Sequence, residues 1–70
     1  MIGHEIGAAI RKRRKQLGWT ETQLAQAART SISTISRIER GKRLPSLALM
    51  VRITGALDLT LALKAAPPPT

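Results

Sequence analysis

The residues with the most chemistry to offer stand together in Ser31-Ile32-Ser33-Thr34-Ile35-Ser36-Arg37-Ile38-Glu39-Arg40-Gly41. On a helical wheel Ser33, Arg37 and Arg40 cluster on one side with Ser36 at their edge, while Ile35 and Ile38 fall together almost opposite. Short hydroxyl donors beside long guanidinium cations are the groups that read base edges and hold phosphates in a DNA groove. Ser31 is suited to cap such a helix and Gly41 to close it. An ordinary amphipathic surface helix would show the same two faces, so the neighbouring elements have to decide between the readings.

Other chemistries find little support. One His, no Cys and four scattered acidic residues supply neither a nucleophile–base pair nor a metal cage, which argues against an enzyme and implies no cofactor. His4 beside Glu5 offers two ligands near a chain end, too few for a metal site. Twelve Lys and Arg against four acids give a net charge of +8. A polyanion is therefore the expected partner, nucleic acid before anionic membrane. No apolar run approaches the length of a membrane span and the start lacks a signal-peptide core, so a cytoplasmic protein with no membrane partner is expected. With 70 residues, one Trp and no Phe or Tyr, the chain reads as one domain with a thin Leu, Ile and Ala core, for which dimerisation would compensate.

The positioning elements follow in order. Met1–His4 reads as a frayed leader, and from Glu5 a first helix carries Ile6, Ile10 and Leu17 on one stripe until Gly18 ends it. The run Arg11-Lys12-Arg13-Arg14-Lys15 exceeds one turn, so part of it is solvated. Arg13 or Arg14 lies beside the apolar stripe and needs a partner there. Trp19 sits in a short connection. Thr20-Glu21-Thr22-Gln23 matches a capping box opening a helix Glu21–Ala28, with Leu24 and Ala28 inward and Ala25 small enough for a close crossing. Only Arg29-Thr30 precede the Ser31 cap. Two helices so closely joined, the second basic on one face, form a helix-turn-helix. After the basic loop Gly41–Ser46, Pro45 blocks any continuing helix and Ser46 caps a fourth, about Leu47–Ala56, with Leu47, Met50, Val51 and Leu57 expected inward and Gly55 weakening its last turn. Leu57–Lys64 then alternates strictly, which reads as a strand, with a fifth helix as the alternative. A lone strand leaves its backbone unsatisfied, so its expected partner is the same segment of a second chain, through Leu59, Leu61 and Leu63. The tail 65–70, rich in proline, is expected to be disordered or extended.

From about Ile6 to Leu57 these residues resemble the phage-repressor (Cro/cI, or XRE) class of helix-turn-helix domain. The resemblance is carried by Ile10 and Arg14, Gly18-Trp19-Thr20, Gln23-Leu24-Ala25, the Ser31–Arg43 stretch and Pro45-Ser46-Leu47. It implies an all-α domain over 5–57 of four to five helices, with a dimerisation strand over 58–64. The Gly-Trp-Thr entry to the second helix and the alternating C-terminal segment are further similar to HipB-like antitoxins, in which strands of two subunits pair across the dimer.

Carried onto this chain, the resemblance puts Ile32, Ser33 and Arg37 against bases. It puts Ser31, Ser36, Arg40, Gly41, Lys42 and Arg43, with Thr22 and Gln23, against phosphates. Its frequent ion pair falls on Arg14 and Glu39; periodicity alone leaves Arg13 an equal candidate, and the register of the resemblance selects Arg14. Three positions depart from the pattern. Glu21 would repel a phosphate where Gln is common. Arg29 stands where a left-handed Gly is common. Ile32 stands where polar readers are common, and either touches a thymine methyl or packs on the second helix. The function implied is a sequence-specific repressor, a homodimer on an inverted-repeat operator in double-stranded DNA. It would be the autoregulating antitoxin of a type II toxin–antitoxin operon, with a HipA-like kinase toxin as partner. A stand-alone XRE-type regulator without a toxin is the alternative.

Overall fold

The computed structural model describes residues 2–58. These fold into four helices and no strand: α1 (Ile2–Gln16), α2 (Glu21–Ala27), α3 (Ile32–Glu39) and α4 (Leu47–Leu57). Helices α3 and α4 each pack on α1 and α2. Between them lies the core of Ile10, Leu24, Ala25, Ala28, Ile35, Ile38, Leu49, Ile53 and Leu57, flanked by Ile6, Trp19, Met50 and Ala56. Leu24, Ile35, Ile38, Ile53 and Leu57 are fully buried, each contributing about 1.5–3 kcal/mol relative to exposure.

The helix ends are built from local chemistry. The Thr20 hydroxyl accepts from the Gln23 N–H at 3.1 Å while the Thr20 N–H donates to Gln23 Oε1 at 2.8 Å, a complete capping box. Ser31 and Ser46 accept from the N–H groups of Thr34 and Leu49, each at 3.1 Å. At their other ends α1, α2 and α3 close in the same way. The residue after the C-cap is left-handed and its N–H, with that of the next residue, returns to carbonyls of the last turn. Gly18 (φ 72°), Arg29 (φ 56°) and Gly41 (φ 73°) hold these three positions. Their N–H groups donate to the carbonyls of Lys15, Gln26 and Ile38, and those of Trp19, Thr30 and Lys42 to Arg14, Ala25 and Arg37. Arg29 is thus left-handed where a glycine would carry no Cβ strain.

Several expectations need correcting. Helix α1 begins at Ile2 instead of Glu5, because Gly3 and His4 pack on the turn at Gly41 rather than fraying. Leu17 is 37% exposed, since it lies in the turn after α1; the inward line is Gly7, Ile10 and Arg14, with Ile6 half-buried. Leu47 (76% exposed) and Val51 (53%) face outward, and Leu49, Ile53 and Leu57 take the inner positions of α4. That helix is apolar around most of its circumference, with Arg52 its single charge, so periodicity could not choose its buried face. It continues to Leu57, and Asp58 is its left-handed C-cap (φ 54°) instead of the first residue of a strand. The strand residues Leu59, Leu61 and Leu63 and the tail 65–70 lie outside the described residues.

Candidate nucleic-acid interface

The groups with DNA-binding chemistry are gathered by α2, α3 and the loop that follows. Ile35 and Ile38 are fully buried, which turns the other side of α3 out. Ser33, Arg37 and Arg40 are all exposed there, Ser36 is half-buried, and Ile32 at the start of the helix is 49% exposed. Thr22 and Gln23 lie exposed in the first turn of α2. Arg40, Arg11, Thr20, Thr22 and Ile32 line one open groove of about 530 Å³, with Glu21 among them. Ile32 therefore faces the groove beside α2, where Glu21 and the paired Arg14 and Glu39 also line the wall, so that two acids stand among three arginines.

Several polar groups singled out from sequence are already committed internally. The Ser31 hydroxyl caps α3 and donates to Thr34 Oγ1 at 2.8 Å. Gln23 Oε1 serves the capping box. The N–H groups of Gly41 and Lys42 close α3, which leaves the Lys42 side chain and Arg43 to reach outward. Arg43 also lies 3.5 Å from Thr34 Oγ1.

Behind this surface the frame is locked by one buried charge cluster. Arg14 donates from Nε to Glu39 Oε2 at 2.7 Å and from Nη2 to Oε1 at 2.9 Å, and its Nη1 reaches the Trp19 carbonyl at 2.7 Å. The two side chains are 9% and 3% exposed. The hydrogen bond to Glu39 raises the Arg14 pKa above its ordinary value, with attraction from Glu39 and Glu21 adding and burial opposing. One side chain thereby joins α1, the turn after it and the end of the exposed helix. Among the described residues no buried side-chain polar atom lacks a partner.

Sequence reasoning missed three positioning contacts. Arg13 Nε donates to the Leu57 carbonyl and Arg52 Nε to the Ala28 carbonyl, each at 2.9 Å, so two helix C-termini are capped by arginines from distant elements. Both periodicity candidates on α1 thus have partners, and nothing local announces either tertiary contact. The third is Gly7, where a Cβ would lie 2.7 Å from the Glu39 carbonyl oxygen and closer still to that of Ile38. Gly3, one turn earlier, also faces the Gly41 carbonyl, so the Gly3-x-x-x-Gly7 spacing was a signal that could have found this close approach. Among the described residues no cluster of His, Cys, Asp and Glu could hold a metal, and no helix is long and apolar enough to cross a membrane.

Comparison with known proteins agrees with this architecture. A family model described as helix-turn-helix matches residues 10–64. The chain is 38% identical to the competence pilus inhibition repressor of Acinetobacter baylyi over 83% of its own length, but spans only 53% of that protein. It is 40% identical to the HTH-type transcriptional regulator YazB of Bacillus subtilis, over 89% of this chain and 88% of YazB. The crystal structure of the clp gene regulator ClgR from Corynebacterium glutamicum superposes with a TM-score of 0.84 at 34% identity, covering 89% of this chain and 80% of that one. On its sequence, the four helices of its described residues and these relatives, the chain belongs to the XRE-type helix-turn-helix family, whose members include transcriptional regulators.

Proposed function

We propose that this chain is a sequence-specific repressor that binds double-stranded DNA as a homodimer on an inverted repeat. The observation that carries the reading is the orientation of α3: Ile35 and Ile38 are sealed in the core while Ser33, Arg37 and Arg40 stand in solvent along the opposite side of the helix that follows the α2–α3 turn. Arg37 is the specificity residue, bidentate to guanine and worth about 1–3 kcal/mol against the wrong base. Ile32 and Ser33 complete the base contacts. Arg40, Lys42 and Arg43, with Thr22, Gln23, Ser31 and Ser36, lie toward phosphates. Two such helices would enter successive major grooves about 34–36 Å apart.

The test begins with an operator selected from random DNA. Arg37→Ala should lose most of the preference for that operator over scrambled DNA. Lys42→Ala should weaken both alike and flatten the salt dependence by about one phosphate contact per protomer, a change of about 1.8 in the log–log slope for the dimer. Equal loss on both DNAs for Arg37→Ala refutes the assignment of Arg37.

A narrower reading, the HipB-like antitoxin of a HipA-like kinase toxin, rests on the alternation of Leu57–Lys64. The names of the relatives fit a regulator without a toxin equally well. Co-purification with a kinase-like product of the adjacent gene is the experiment that separates the two.

A further inference from the structure

The turn that joins α2 to α3 is strained at a charged residue. Three helices close on a left-handed position; Gly18 and Gly41 fill two of them, and Arg29 (φ 56°) fills the third. A Cβ in that conformation carries a cost that glycine avoids, and a residue kept there against that cost points to a use. The backbone supplies none that is specific to arginine, since the bond from the Arg29 N–H to the Gln26 carbonyl could be made by glycine as well. The side chain is exposed. The four acids of the sequence, Glu5, Glu21, Glu39 and Asp58, all lie among the described residues, and the one ion pair there is Arg14 with Glu39. No acidic side chain of its own chain therefore partners the Arg29 guanidinium.

Arg29 is also the only Lys or Arg between Lys15 and Arg37. The other cations around α3 are Arg37, Arg40, Lys42 and Arg43, which stand in its second half and in the loop behind it. The first turn of the helix offers hydroxyls and Ile32, and its cap is already engaged: Ser31 Oγ accepts from the Thr34 N–H and donates to Thr34 Oγ1. A helix lowered into a major groove has a phosphate strand on either side. Without Arg29, the positive charge available to those strands would stand at one end of α3 only. We propose that Arg29 holds a backbone phosphate of the DNA at the N-terminal end of α3, and that its left-handed conformation is tolerated for the sake of that contact. The proposal rests on the DNA-binding reading and adds a residue to it. A guanidinium suits the task, being always charged and shaped to grip a phosphate through two parallel N–H groups. Contacts to phosphate position the protein without reading sequence, so operator and unrelated DNA should feel the residue alike.

Stability and DNA affinity should then move in opposite directions. Without DNA, Arg29→Gly should raise the melting temperature by about 4–8 °C, because it relieves the turn. The same variant should bind the selected operator and scrambled DNA more weakly by the same factor, about tenfold or more near 0.1 M salt. It should also flatten the log–log salt slope by about 1.8, one contact from each protomer of a dimer. Arg29→Lys keeps both the charge and the strained Cβ, so it should keep the melting temperature and the slope of the parent. Lys12→Ala removes an equal charge from an exposed position on α1 and should weaken binding far less. Four outcomes overturn the proposal. Arg29→Gly could bind as tightly as its parent; its loss could be confined to the operator, which would make Arg29 a base reader; Lys12→Ala could match it, which would leave only a general effect of charge; or Arg29→Gly could melt lower, which would place the contact inside the protein. An intact chain that binds no DNA ends the DNA-binding reading and this one together. A chain that binds, loses operator preference with Arg37→Ala and is indifferent to Arg29→Gly ends this one alone.

Discussion

Replacing Gly7 by alanine sets two opposed effects against each other inside one helix. On helix propensity alone the change is favourable, because glycine inside a helix is about 1 kcal/mol worse than alanine. The structure reverses the sign. An added methyl would press on the carbonyls of Ile38 and Glu39, 2.7 Å from the latter, and both partners are main-chain atoms with no rotamer to yield. Relief requires α1 to withdraw from α3 by several tenths of an ångström or more, and overpacking of this kind costs about 1–3 kcal/mol. The same displacement lengthens the 2.7 and 2.9 Å bonds from Arg14 to Glu39, which span the same two helices. Full rupture of a buried pair costs about 3–5 kcal/mol, and a stretched pair loses part of that. After the propensity gain, a net loss of about 2 kcal/mol is expected. Against the roughly 4–10 kcal/mol available to a domain of this size, that is a large fraction. Urea unfolding followed by the fluorescence of the single Trp19, with circular dichroism as a second probe, measures it as a lower midpoint at constant slope. A Gly7→Ala chain as stable as its parent, or more so, would refute the close contact of the two helices.

Other substitutions probe the remaining devices. Arg29→Gly should stabilise the fold by about 1 kcal/mol, because it removes a left-handed Cβ from a turn built like those at Gly18 and Gly41; a lower melting temperature would mean that the Arg29 side chain supplies a contact of its own. Glu39→Gln should cost about 3–5 kcal/mol by leaving the Arg14 charge buried without its counter-ion, whereas the double variant Arg14→Met/Glu39→Leu should cost less than either single change. A denaturation double-mutant cycle reads that coupling, and strict additivity would contradict it. Arg52→Ala removes the cation at the end of α2 and should lower stability by about 1 kcal/mol, discounted for its partial exposure, with the slope of thermal unfolding unchanged.

The elements legible from sequence were those decided by local chemistry. The Thr20-x-x-Gln23 box, the Ser31 and Ser46 caps and the Gly18 and Gly41 stops depend on residues a few positions apart, and the helices begin and end within a few residues of them. The outward face of α3 was readable because two isoleucines stand against a run of serines and arginines. The face of α4 was not, since an almost uniformly apolar helix has no polar side to point outward. The contacts of Arg13 and Arg52 join residues 44 and 24 positions apart and leave no mark on spacing. At Gly7 the Gly3-x-x-x-Gly7 spacing hints at a close approach, but the partner is not legible, because the importance of a missing side chain lies in what stands opposite it.

That missing side chain has a consequence for how a helix-turn-helix domain of this kind can drift. Where α1 meets the end of α3, the spacer is main chain against main chain rather than interlocking hydrocarbon. Exchanges among Leu, Ile and Val elsewhere in the interior should then alter how firmly the domain holds together while leaving the tilt of α3 where it is. Stability and the aim of α3 would answer to different residues, so the one can be tuned without disturbing the other.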